Sequence, residues 1–226
     1  MPRRCSTSRR LAGDRSRTHM HTLRALSSRL PGLCARHRAG GGLMRVLVIG
    51  AGLSGLSCAS TLVDAGAEVT LVEIRAEIGH PQDRPGLVLN PQSFGDYSEH
   101  IQLTSTGCRR PWLAKSMAQC LAAAGVEIQL KTRAPDHSDG HDRIIDTRRA
   151  PAAQHWQGGV TLSGREPAAD LIAHRGDGTV ECWFQGPIPE VKGGWLERFS
   201  GTFSEDEASI DSSIGRGITL ASQQKA

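Results

Sequence analysis

The sequence predicts an α/β protein built on a parallel sheet. Three observations carry this: an apolar strand running into a glycine-rich turn, a helix of regular apolar spacing closed by glycine, and a second apolar strand ending on a carboxylate. Arg45-Val46-Leu47-Val48-Ile49 is a continuous, β-branched run, as a strand buried on both faces requires. Gly50 makes the tight turn out of it. Gly52 has no side chain, so the backbone there can approach a pyrophosphate, and Gly55 lets the following helix pack closely on the sheet. Leu56, Ala59, Leu62 and Val63 mark the core face of that helix, and Gly66 ends it. Val69, Leu71 and Val72 form the second strand. Glu73 ends it, twenty-three residues after Gly50, where a carboxylate can accept hydrogen bonds from ribose hydroxyls. Strand, glycine turn, helix, strand and acid in this order make a dinucleotide site, with free N–H groups and a positive dipole end aimed at the phosphates.

Residues 80 to 108 are rich in turn formers, with one short strand candidate at Leu87-Val88-Leu89. A helix follows, with Pro111 in its first turn and Leu113, Met117, Leu121 and Ala124 on one face. Gly125 ends it and Val126 to Leu130 is a strand. Further strands are expected at 143–146, 160–162, 170–173 and 180–184. The order suggests a parallel sheet with a β-meander crossover.

Charge is unevenly placed. Residues 1–43 hold ten arginines and one acid, Asp14, whereas residues 44–226 hold 17 of the 27 basic and 22 of the 23 acidic residues, a net −5. The basic balance therefore belongs to the leader and gives no reason to expect nucleic-acid binding. The Arg- and Ser-rich leader ends in Gly40-Gly41-Gly42 and is expected to be disordered, either a transit peptide or an extension upstream of a natural start at Met44; the strand beginning at Met44 favours the extension. No apolar stretch approaches a membrane span. The six cysteines form no CxxC pair and suggest no zinc, and Cys58 and Cys120 are expected to be small core residues in a reducing, cytoplasmic setting. His137 to Asp142 reads as a loop, and no metal is expected.

The chain resembles the flavoprotein family of aromatic-ring monooxygenases and geranylgeranyl reductases. The glycine motif continues through Glu77-Ile78-Gly79, as in FAD-type versions, and Arg110-x-x-Leu113-x-x-x-Met117-x-x-x-Leu121-x-x-x-Gly125 matches a second family stretch. There the resemblance implies an arginine, Arg110, that reaches the FAD phosphates, a task suited to a planar guanidinium. Ser213 to Ala221 is similar to the family's second flavin loop, with Gly215 and Gly217 in the Gly-x-Gly that opens a helix. Ser212 stands where the family has proline, and Ser204-Glu205-Asp206-Glu207 stands where it has Gly-Asp-Ala, with Asp206 or Glu205 in the place of the ribityl-binding acid. Val180 to Phe184 through Trp195 is similar to a strand pair of the reductase substrate domain. Family members carry most of a substrate-domain sheet where residues 185–205 of this chain offer almost no strand pattern.

The resemblance implies a Rossmann-like FAD-binding domain over residues 44–175, a reduced substrate-domain remnant over 176–203, and a C-terminal flavin loop and helix over 204–226. The expected cofactor-binding residues are Gly50, Ala51, Gly52, Leu53, Ser54, Gly55, Glu73, Arg110, Asp206, Gly215 and Gly217. With FAD bound, the implied activity is that of an oxidoreductase on a small-molecule substrate, either a monooxygenase or a reductase, with NAD(P)H as a transient electron donor, since no second GxGxxG is present. No catalytic acid or base stands out. A non-catalytic nucleotide-binding remnant or subunit is the alternative, and NAD binding by the same loop is a third reading that Glu73 permits. The open substrate side leaves room for a partner subunit or a second copy.

Overall fold

The computed structural model describes residues 43–91, 101–135, 140–150 and 154–223. The Arg-rich leader and His137 lie outside these residues. Four strands form the first sheet: β1 (Arg45–Ile49), β2 (Glu68–Glu73), β3 (Glu127–Leu130) and β4 (Arg143–Asp146). They are all parallel, in the order β3-β2-β1-β4, with Val48 opposite both Leu71 and Ile145. Helices α1 (Leu53–Asp64) and α2 (Arg110–Ala123) cover the face that presents Val46, Val48 and Leu71. The helical residues Leu56, Ala59, Leu62, Leu113, Met117 and Leu121 fill that core, as their spacing predicts. Leu47, Ile49 and Val72 point to the opposite face, where they cluster with Ala134.

Four further strands, β5 (His155–Leu162), β6 (Leu171–His174), β7 (Thr179–Phe184) and β8 (Glu197–Thr202), make a separate antiparallel sheet in the order β6-β7-β5-β8. The expected domain boundary at residue 175 therefore does not coincide with the break between the sheets, because β5 and β6 pair with β7, not with the parallel sheet. The sheet packs around Trp156, Trp183 and Phe203, with Trp156 stacked on Phe203 at 5.0 Å and Trp183 edge-on to it at 5.3 Å. Strand β8 runs through the stretch that shows almost no strand pattern in sequence. Its Glu-Arg-Phe-Ser-Gly-Thr segment is mostly exposed, so it has no apolar run to betray it. Its ladder to β5 and the packing of Phe199 over Gly158 against Trp183 hold it instead.

A 3₁₀ turn at Glu205–Glu207 leads to helix α3 (Ile210–Ser222), which starts on the Ser209 cap and packs along α1. No helix among the described residues is long and apolar enough to cross a membrane. Cys58, Cys108 and Cys182 are buried, and burial pushes their thiols up to about 11, 12 and 12, so they stay protonated at neutral pH. Cys120 is exposed, contrary to its expected core place, because it lies on the solvent side of α2.

Candidate functional site

A cleft of about 880 Å³ opens at the C-terminal ends of β1, β2 and β4, bounded on its far side by β5 and β8. Ligands of open parallel sheets sit at this end of the strands. The sequence motif builds its floor. Gly50 leaves β1 at φ +96°, a left-handed conformation that a side chain would strain. Its N–H donates to Val72 O at 2.8 Å, and the Thr147 hydroxyl, at the end of β4, donates to Ile49 O at 2.8 Å and to Gly50 O at 3.1 Å. A Cβ on Gly55 would run into the Gly50 carbonyl oxygen, so this glycine is what lets α1 start directly against the turn.

Gly52 is different. It caps α1 in extended geometry without a side-chain hydrogen bond, and a Cβ built on it meets nothing within 4 Å. The first turn of α1 therefore presents backbone N–H groups to open space, without a capping oxygen. Such an uncapped, glycine-lined helix start fits a pyrophosphate, whose oxygens can accept those N–H groups and interact with the dipole. Glu73 stands beside it. One of its oxygens accepts from Ala51 N–H at 2.8 Å and the other from Arg75 N–H at 2.9 Å, which fixes the carboxylate while each oxygen keeps a lone pair for a ribose hydroxyl.

Eight of the expected residues line the cleft: Gly50, Ala51, Gly52, Leu53, Ser54, Gly55, Glu73 and Arg110. The Ser54 hydroxyl, however, points to α3 and donates to Ser213 O at 2.9 Å, leaving its backbone as the part available to a ligand. Arg110 is also a strut. It donates to Pro85 O at 2.9 Å, to Ala208 O at 3.5 Å and to the Ser213 hydroxyl at 2.7 Å. Burial first, and next the Arg84 charge, push its guanidinium down to about 10, so it remains a cation at neutral pH. Replacing Arg110 by alanine leaves those acceptors unmet. The expected cost is about 2 kcal/mol, a fall in Tm of roughly 5 °C together with weaker anion binding, read by a thermal melt with and without ligand.

Three expected residues lie elsewhere. Gly215 and Gly217 are inside α3, not in a loop opening it, and neither lines the cleft. Gly217 serves helix packing, because a Cβ there would collide with the Ser57 hydroxyl and the Ser54 carbonyl of α1. Asp206 is exposed in the 3₁₀ turn and also lies off the cleft. Its neighbour Glu207 pairs with Arg149 at 2.7 Å instead. Of the second glycine pair, Gly217 thus seats α3 on α1 while Gly215 is exposed on the helix, and no second flavin loop forms from them.

The structure adds cleft residues that the sequence reading missed, among them Arg84, Thr147, Arg149, His155 and Ser213. Arg84 is mostly buried, its Nε has no hydrogen-bond partner, and burial lowers its pKa against the opposing pull of Asp83. No Phe, Tyr or Trp side chain lines the cleft among the described residues. The Asp-Arg-Pro-Gly turn that carries Arg84 has no periodicity, so only its position between the acid at Glu73 and the next helix could have marked it.

Comparison with known proteins gives the same fold. A family model for pyridine nucleotide-disulphide oxidoreductases matches residues 45–85, the strand–helix–strand unit and the loop after it. Among solved structures, a flavoprotein/dehydrogenase from Cytophaga hutchinsonii is similar at 12% identity and a TM-score of 0.52, covering 80% of this chain and 77% of that one. A geranylgeranyl bacteriochlorophyll reductase-like protein from Thermoplasma acidophilum is similar at 13% identity and a TM-score of 0.53, covering 80% and 78%. The protein CtdE in complex with FAD matches at 11% identity and a TM-score of 0.53, covering 80% and 84%. No curated protein sequence matches the chain. At these identities the likeness establishes the fold, a Rossmann-type α/β fold shared with FAD-binding flavoproteins.

Proposed function

We propose that this protein binds FAD in the cleft and is a flavin-dependent oxidoreductase. The observation that carries the reading is Gly52: the protein leaves open space around it at an uncapped helix start, beside a carboxylate fixed for a ribose. The fold shared with a reductase-like flavoprotein and with CtdE, whose structure holds FAD, supports the same reading. Backbone N–H groups at residues 52–54 would hold the pyrophosphate, Glu73 the adenosine ribose, and Arg84 and Arg110 would add positive charge along the cleft wall. The bound flavin supplies two-electron redox chemistry. The chain supplies orientation through the fixed loop, with β5 and β8 bounding the far side of the cleft.

Monooxygenase or reductase activity on a small molecule, NAD(P)H as transient donor and a cytoplasmic setting extend this reading. The division into a nucleotide-binding domain, a reduced second sheet and a C-terminal helix belongs to it as well. A second reading rests on the α3 glycines and Asp206. With no second flavin loop built from them, the chain would hold a nucleotide as a non-catalytic remnant, or as a subunit completed by a partner or a second copy.

The discriminating experiment titrates the full chain with FAD and with FMN. Saturable FAD binding is expected, with FMN binding weaker by on the order of 100-fold, because FMN lacks the adenosine and pyrophosphate groups that the glycine turn and Glu73 would hold. Equal affinity for the two would refute that placement.

A further inference from the structure

The antiparallel sheet contains a fully buried ion pair. Arg175 is 1% and Glu181 0% exposed. Such a pair is a poor route to stability, since desolvating two charges offsets most of their attraction and apolar residues of the same size do as well. What the pair touches indicates a different use. One Glu181 oxygen accepts from Arg175 Nε at 3.0 Å and Nη2 at 2.7 Å. The other accepts from Trp183 Nε1 at 2.6 Å, from the Gln82 amide at 2.8 Å and from Gly86 N–H at 2.9 Å. The last two donors belong to the loop that carries Arg84 into the cleft.

Gln82 passes the contact on. Its amide oxygen accepts from Arg175 Nη2 at 3.1 Å, and its Nε2 also donates to the Arg84 carbonyl at 3.2 Å. Each neighbour along the loop is held as well. The Asp83 carbonyl seats against Gly201 of β8, where a Cβ would collide with it. Pro85 O accepts from Arg110 at 2.9 Å, and Gly86 O accepts from Cys108 N–H at 3.0 Å. Every residue from 82 to 86 is thus fixed through side chain or backbone. Asp83 lies 3.6 Å from the Arg84 guanidinium, while Arg84 Nε is buried in the cleft wall without a hydrogen-bond partner.

We infer that Arg175 and Glu181 are positioning residues that, through Gln82, set Arg84 for the anionic part of the dinucleotide. The second sheet then serves cofactor binding, beyond any contact with substrate. This rests on the reading of the cleft as an FAD site.

The test is a double-mutant cycle in FAD affinity on the full chain, followed by flavin fluorescence, with a thermal melt of each variant. Gln82→Met keeps the size of the side chain and leaves Arg175 and Glu181 paired. Gln82→Met and Arg84→Ala are each expected to weaken FAD binding about tenfold, and the double variant to bind no more weakly than Arg84→Ala alone. Glu181→Gln, carried alongside, is expected to act in the same direction and to lose its effect in the Arg84→Ala background. A general loss of structure would not produce that non-additivity. Losses that multiply to about 100-fold, or an unchanged affinity in Gln82→Met, overturn the inference while leaving the FAD site intact. A wild-type chain that takes up no FAD overturns the cleft reading and this inference with it.

Discussion

Replacing Gly55 by alanine is expected to lower the stability of the protein by about 3 kcal/mol, a fall in Tm of roughly 10 °C. The added Cβ would overlap the Gly50 carbonyl oxygen and stand 2.9 Å from the Thr147 hydroxyl. Neither neighbour can give way cheaply. Gly50 is held at φ +96° by its N–H bond to Val72, and Thr147 is tied to the Ile49 and Gly50 carbonyls. Relief therefore requires α1 to lift off the sheet, which loosens Leu56, Ala59 and Leu62, all 3% exposed or less. A melt of Gly55→Ala that coincides with wild type would contradict this geometry.

Replacing Gly52 by valine is expected to have the opposite pattern: Tm within about 2 °C of wild type, and FAD affinity lower by on the order of 100-fold or more. At φ −71° and ψ 173° the backbone is extended, a region that valine adopts readily, and nothing lies within 4 Å of the new Cβ. The two methyl groups would occupy the space through which phosphate oxygens must approach the helix start. Paired titrations and melts check both halves. Two glycines three residues apart in one motif are thus assigned different jobs, one internal to the fold and one facing the ligand.

The same distinction explains how much was legible in the sequence. The β1-α1-β2 unit could be read because its requirements are steric and local: strands buried on both faces, a turn at positive φ, a helix pressed on its own turn, and an acid at the strand end. The face of α2 was legible from spacing, with Leu113, Met117 and Leu121 buried as expected. Strand β8 was not, because a ladder and one phenylalanine hold it in place of an apolar pattern. Gly215 and Gly217 have the spacing of the family's second flavin loop, yet at Gly217 the missing side chain admits a neighbouring helix, and spacing alone does not tell these uses apart. Arg84 was missed since its place depends on Glu181, ninety-seven residues further along the chain, through Gln82. Arg110 was identified by resemblance, but its bonds to Pro85 and Ser213 give it a structural role that no motif carries.

The most direct test of the central claim is the visible spectrum of the purified full chain after incubation with FAD and removal of free flavin, with the bound cofactor released by heat and identified. The expected result is a flavin band perturbed by the protein and FAD as the released species, in close to one equivalent per chain. A colourless protein that takes up no FAD would contradict it, and would leave the glycine turn, Glu73 and the cleft without the dinucleotide they are read as holding.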